Sequence, residues 1–233
     1  MRSAEAGGNP GERAVEQDFK VLVACTGNIH RSALAATLCQ EWVHWYLPAD
    51  LAERVQISSA GFGAPVGARM GTRAQKIAVA LGGDGSTHRA TQITDRMLED
   101  ADVVLVATRR HLESAIGRVP SALRRSFTVR ESGRVAGTLR RRSLQSTEDL
   151  RTVVADLARA RSAAADPDAD DIIDPQGQGA EAYLQMIREE IPPLAQLAHV
   201  LFGMPRPDVE AYAAAAAQPA LLLTDDSRTI APR

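Results

Sequence analysis

Val21-Leu22-Val23-Ala24-Cys25-Thr26-Gly27-Asn28-Ile29-His30-Arg31-Ser32 decides how the rest of the chain is read. Four apolar residues run into a cysteine, five residues separate it from Arg31-Ser32, and an alanine-rich run from Ala33 to Leu38 follows. The pattern predicts a buried strand, a tight loop and the first turn of a helix. Gly27 and Asn28 tolerate the left-handed backbone angles that a curled loop needs. Such a loop turns several backbone N–H groups into one concavity beside a positive helix end, where an anion fits. A sulfur on its floor is favoured as thiolate, the anion the site accepts. Arg31 adds a planar fork for two phosphoryl oxygens. Cys-x5-Arg-Ser therefore reads as a device for attacking phosphate with sulfur.

The composition is that of a globular chain: 233 residues, 45% hydrophobic and 24% charged, enough for one domain with a core and additional segments. A net charge of -2 provides no general field for nucleic acid or an anionic membrane. The two cysteines, Cys25 and Cys39, are too few for a disulfide framework or a cysteine-rich zinc site. A reducing, cytoplasmic setting is expected. Residues 1–17 lack the apolar core of a signal peptide and are expected to form a disordered leader. Residues 204–233, with four prolines, are expected to form a flexible tail. The apolar run Ala213 to Leu223, broken by Gln218 and Pro219, is too short to span a membrane.

Between these ends, 18–203 reads as one domain. Asp18 to Ala24, Val55 to Ser59, Asp102 to Ala107 and Phe127 to Val129 are predicted strands. Ser32 to Trp45, Gly71 to Leu81, Arg109 to Ile116 and Ala180 to Phe202 are predicted helices, the last bent or split at Pro192-Pro193. Strands alternating with helices imply a three-layer α/β fold: a four-stranded parallel sheet, helices on both faces, and the phosphate loop after the first strand. Residues 130–170 are less regular; Leu150, Val153, Val154 and Leu157 suggest one helix there.

Cys-Thr-Gly-Asn-Ile-His-Arg-Ser resembles the phosphate loop of the low-molecular-weight protein tyrosine phosphatases. Ser59-Ala60-Gly61, His88-Arg89-Ala90 with Gln92-Ile93-Thr94, the strand from Asp102 to Val106, His111 and Asp174-Pro175 resemble further family motifs in the same order. The resemblance runs along most of residues 19–202. It implies that Cys25 is the nucleophile forming a cysteinyl-phosphate, and that Arg31 and the backbone of Thr26, Gly27, Asn28, Ile29, His30, Arg31 and Ser32 bind the phosphoryl group. Asp174 becomes the general acid, then the base for water. Asp170 and Asp171 compete for that role, but of these three only Asp174 precedes a proline, Pro175, and leads into the last helix. Ser32, Ser59 and His88, with Asn28, would hold the loop in shape. His111 is assigned to packing or capping. No cofactor or metal is implied.

Three departures from the family pattern stand out. His30 occupies a position where many members carry a second cysteine able to protect the nucleophile as a disulfide. A protonated His30 would also place a positive charge near the sulfur. Gln176-Gly177 follow Asp174-Pro175 where tyrosines often wall the substrate ring, leaving Phe62 or Tyr183 as substitutes. Residues 130–170 form a longer Arg/Asp-rich connection, and the span from Arg118 to Arg142 holds eight arginines, read as partners of Asp166, Asp168, Asp170 and Asp171 or as a docking surface for an acidic partner. Ile29 resembles the tyrosine-specific members; those acting on phosphoarginine tend to carry threonine there. The expected substrate is a phosphotyrosine protein, a bacterial tyrosine kinase being one candidate. A protein-arginine phosphatase, an arsenate reductase and a non-catalytic phosphopeptide-binding module are the alternatives.

Overall fold

The computed structural model describes residues 17–161 and 166–218. The expected leader, residues 1–16 of it, and residues 219–233 lie outside them. Four parallel strands form one sheet: β1 (Phe19–Cys25), β2 (Val55–Gly61), β3 (Val103–Val106) and β4 (Ser126–Thr128), in the order β2-β1-β3-β4. The helices are α1 (Arg31–Tyr46), α2 (Ala49–Ala52), α3 (Thr72–Ala80), α4 (Asp95–Asp100), α5 (Arg109–Arg118), α6 (Val129–Ala136), α7 (Thr147–Ala160), α8 (Ala180–Leu201) and α9 (Arg206–Ala217).

The apolar run of β1 is continuous because the strand is central, covered on both faces. Its alternate side chains enter different cores. Phe19, Val21 and Val23 join Val103 and Leu105 beneath α1, α7 and α8. Leu22 and Ala24 join Val104 and Val106 against Leu98 and Ala115 of α4 and α5. Two cores separated by one sheet make the three layers. The anion loop leaves the carboxyl end of β1, where parallel sheets seat their ligands. No helix of the described residues is long and apolar enough to cross a membrane.

Three expectations are corrected. The fourth strand ends at Thr128, not Val129, because the Thr128 hydroxyl accepts from Glu131 N and caps α6. Pro192-Pro193 do not split the last helix, which runs unbroken from Ala180 to Leu201. Packing offsets the missing backbone donors: a Cβ on Gly133 would come within 2.4 Å of Pro193, so α6 rests directly on the proline.

The third correction concerns the tail. Residues 206–217 form α9 and are packed on the domain. Pro207 sits in its first turn, where proline starts helices, and Val209, Tyr212 and Ala216 make a buried stripe. The Tyr212 hydroxyl accepts from Trp42 Nε1 at 2.8 Å and donates to the Leu81 carbonyl at 3.1 Å, tying α9 to α1 and to the end of α3.

The irregular segment 130–170 yields α6 and α7. α7 opens with a reciprocal cap between Ser146 and Asp149 and buries Leu150, Val153, Val154 and Leu157. Arginines in and beside this segment are tied down: Arg134 pairs with Asp170, Arg142 with Asp156, and Arg161 with Glu131. A groove of about 630 Å³ lined by Arg124, Arg125, Arg151 and Arg159 lies at the opposite end of the sheet from the anion loop. Arg125 there donates to the Leu98 and Glu99 carbonyls, and Arg151 pairs with Asp102.

Candidate active site

The loop from Cys25 to Ser32 is held open from outside. Phe62 N donates to the Cys25 carbonyl (2.9 Å), Gly63 N to Thr26 O (2.9 Å), and Gly71 N to Ile29 O (2.8 Å). His88 Nε2 lies 2.7 Å from Asn28 O. In a trans peptide the C=O of one residue opposes the N–H of the next. Four carbonyls turned outward therefore leave the amides of Thr26, Gly27, Ile29 and His30 facing the concavity. Gly61 makes room for this arrangement, since a Cβ there would stand 2.5 Å from Thr26 O.

Asn28 sits at the centre of the scaffold. It has a left-handed φ of 51° and is fully buried. Its Nδ2 donates to Ser32 Oγ (3.0 Å) and Ser59 Oγ (2.9 Å), and its Oδ1 accepts from Thr91 N (2.9 Å). Ser32 Oγ lies 3.0 Å from Cys25 Sγ, and Asn28 N donates to the same sulfur at 3.3 Å. Ser59 and His88 thus touch Asn28 rather than the sulfur.

Arg31 is buried by α8 and by the segment preceding it. Its NH1 donates to the Ile172 carbonyl at 3.0 Å and its NH2 pairs with Asp174 Oδ2 at 2.6 Å. The Asp174 side chain is 43% exposed, free to move without leaving a buried void. Neither rival carboxylate is available: Asp171 caps the start of α5 through Arg109 N, and Asp170 pairs with Arg134. Cys25, Thr26, Gly27, Ile29, His30, Arg31 and Asp174 line one cavity of about 210 Å³, closed by Gly63, Pro65 and Gln176. Neither Phe62 nor Tyr183 lines it. Phe62 stacks on His111 at 5.4 Å, and Tyr183 is buried behind His30.

Burial pushes the His30 imidazole below the usual histidine range, which disfavours its charged form. Cys39, the second thiol, is buried on α1, and burial pushes it far up.

His111 belongs closer to the site than its sequence position suggests. Its N–H is capped by Thr108, as a packing role implies, but its ring Nε2 reaches Thr26 Oγ1 at 3.0 Å. Nothing in the linear spacing joins residue 111 to residue 26; only the parallel pairing of β1 and β3 does. Burial, then the nearby Arg31 charge, lowers His111 to about 4. An unfolded histidine titrates near 6.5, so between these values the unfolded chain binds more protons and folding stability falls as pH drops. Urea midpoints measured from pH 7 to pH 4 are expected to decline less steeply in His111→Gln than in the parent chain.

The low molecular weight phosphotyrosine protein phosphatase model matches residues 20–131. A protein-arginine-phosphatase of Geobacillus stearothermophilus is 31% identical over 120 residues, covering 52% of this chain and 74% of that protein. This chain belongs to the low-molecular-weight phosphotyrosine protein phosphatase family. A probable low molecular weight protein-tyrosine-phosphatase EpsP of Ralstonia solanacearum is 33% identical over 111 residues, 48% of this chain and 70% of that one. Among solved folds, the YwlE arginine phosphatase from Geobacillus stearothermophilus superposes with a TM-score of 0.54 at 25% identity, covering 78% of this chain and 91% of that one. The family is one of cysteine-dependent phosphatases, and this chain is a phosphatase of that kind. The family match stops short of Asp174, whose place at the site is a matter of geometry.

Proposed function

We propose that the chain hydrolyses phosphotyrosine in proteins, with Cys25 as nucleophile and Asp174 as proton donor. The observation that carries this reading is the convergence of one sulfur, one guanidinium fork and one carboxylate on the same cavity of about 210 Å³. The Cys25 thiolate attacks phosphorus while the bond to the phenolic oxygen breaks, and Asp174 delivers its proton to that oxygen. Arg31 and the inward amides hold the three equatorial oxygens, where charge is spread in the transition state. Water then attacks the cysteinyl-phosphate, its proton passes to the Asp174 carboxylate, and phosphate leaves with the thiolate restored. Ser32 Oγ stabilises that thiolate at both stages. In the free chain Asp174 rests on Arg31; an arriving phosphoryl group takes the fork, and the displaced carboxylate takes a proton from solvent and turns toward the leaving oxygen as the acid.

Ile29 and Pro65 favour an aryl ring at the mouth of the cavity. A phosphorylated guanidinium would call for acceptors, and Asp174, the one carboxylate among the described residues lining the cavity, already has a role. The relative named as an arginine phosphatase keeps the second reading in play. An arsenate reductase relaying a disulfide between its own thiols has less support, because Cys39 is buried in α1 and does not line the cavity. A bacterial tyrosine kinase is a natural substrate protein. A reducing cytoplasm suits a reaction whose nucleophile must stay a free thiol.

The test is turnover on matched peptides carrying phosphotyrosine, phosphoarginine or phosphoserine, with arsenate-dependent thiol oxidation as control. Phosphotyrosine is expected to give the highest kcat/KM, and Ile29→Thr to narrow its lead over phosphoarginine. A parent chain faster on phosphoarginine would assign it to the other substrate class.

A further inference from the structure

We infer that His30 is a positioning residue, whose ring latches the segment carrying Asp174 to the phosphate loop. The inference rests on Asp174 acting as the proton donor. His30 Nε2 lies 2.7 Å from Gln176 Oε1, and Gln176 N donates in turn to Asp174 Oδ1 at 3.2 Å. An amide oxygen only accepts, so Nε2 carries the ring proton. The ring is fixed from two further sides. Tyr183 meets it edge-on at 5.3 Å with its hydroxyl 3.4 Å from the ring nitrogens. Gly71 leaves the space it fills, since a Cβ there would stand 2.3 Å from His30 Cε1. A ring packed this closely holds Gln176 in one place and does not swing with it.

The reaction sequence makes this contact matter. Two side-chain links join residues 174–176 to the phosphate loop: Arg31 to Asp174, and His30 to Gln176. The first is broken by the substrate itself, because the phosphoryl oxygens need the Arg31 fork and repel the carboxylate. The second involves no atom that the phosphoryl group needs. It therefore keeps Asp174 close to the leaving oxygen at the step where its own ion pair has gone. A displacement of about 1 Å at this point costs up to about 10²-fold in rate.

Gln176→Ala and His30→Ala test the latch; Gln176 is exposed, so its variant reports even if His30→Ala folds poorly. The readout is kcat/KM on phenyl phosphate, which needs a proton donor, against p-nitrophenyl phosphate, which needs one far less. Both variants are expected to lose about 10- to 100-fold on phenyl phosphate and a few-fold on the nitrophenyl ester. Inhibition by inorganic phosphate should stay unchanged, and Gln176→Ala should add no further loss to Asp174→Ala. Equal losses on both esters with weakened phosphate inhibition would mean a collapsed loop and overturn the positioning role. So would parent-like rates from Gln176→Ala beside a strongly impaired Asp174→Ala, an outcome that leaves the proton-donor assignment standing. Parent-like rates from Asp174→Ala itself would remove the assignment and the latch together.

Discussion

Cys25→Ser is expected to abolish measurable turnover of aryl phosphates, a loss of roughly 10⁴- to 10⁶-fold, as when a nucleophile acting within a unit is removed. Serine is nearly isosteric, so the cradle should survive. Ser32 Oγ and Asn28 N, at 3.0 and 3.3 Å from the sulfur, stabilise a thiolate, and a hydroxyl there stays protonated and nucleophilically weak. Cys39 cannot replace it, being buried within the core of α1. Binding should behave differently from rate. The inward amides and Arg31 remain, so calorimetry is expected to show Cys25→Ser binding inorganic phosphate about as the parent does. Retained turnover would point to a nucleophile outside this loop.

The second large effect is expected from Asp174→Ala. Positioned general acids contribute about 10² to 10⁴ in rate. The full loss should appear with phenyl phosphate, whose phenolate leaves poorly without a proton. The sign of the pH dependence follows from the role. The donor must be protonated to act, so the limb on which parent activity falls as pH rises should vanish in the variant. A third change separates this residue from a structural one. Asp174 holds Arg31 at 2.6 Å in the free chain, so its removal frees the guanidinium and should tighten inhibition by phosphate. Rates near those of the parent, with both pH limbs intact, would move the proton donor elsewhere.

Much of the fold was legible because it rests on local patterns. The apolar continuity of β1 announced a central strand, and Gly and Asn announced the curl after it. The regions that misled were those in which packing outweighs local preference. Prolines at 192 and 193 read as a break, yet Gly133 lets α6 close over them and the helix continues. Prolines at 205 and 207 read as disorder, yet they start a helix whose apolar stripe has a place to dock. Within the site, Cys25, Arg31 and Asp174 were nameable from motif chemistry, and all three line the cavity. His111 and Gln176 were not, because each acts through a partner distant in sequence, Thr26 and His30 respectively.

Asn28 carries one more consequence. Its amide and carbonyl groups gather Ser32, Ser59, Thr91 and the His88 ring around a single left-handed residue. The anion cradle is thus not a portable peptide. A graft of residues 24–32 onto another strand–loop–helix would transplant the sulfur and the arginine, yet leave behind the residues that hold the loop concave. For protein engineering, the smallest transferable unit of this chemistry is nearly the whole first half of the domain.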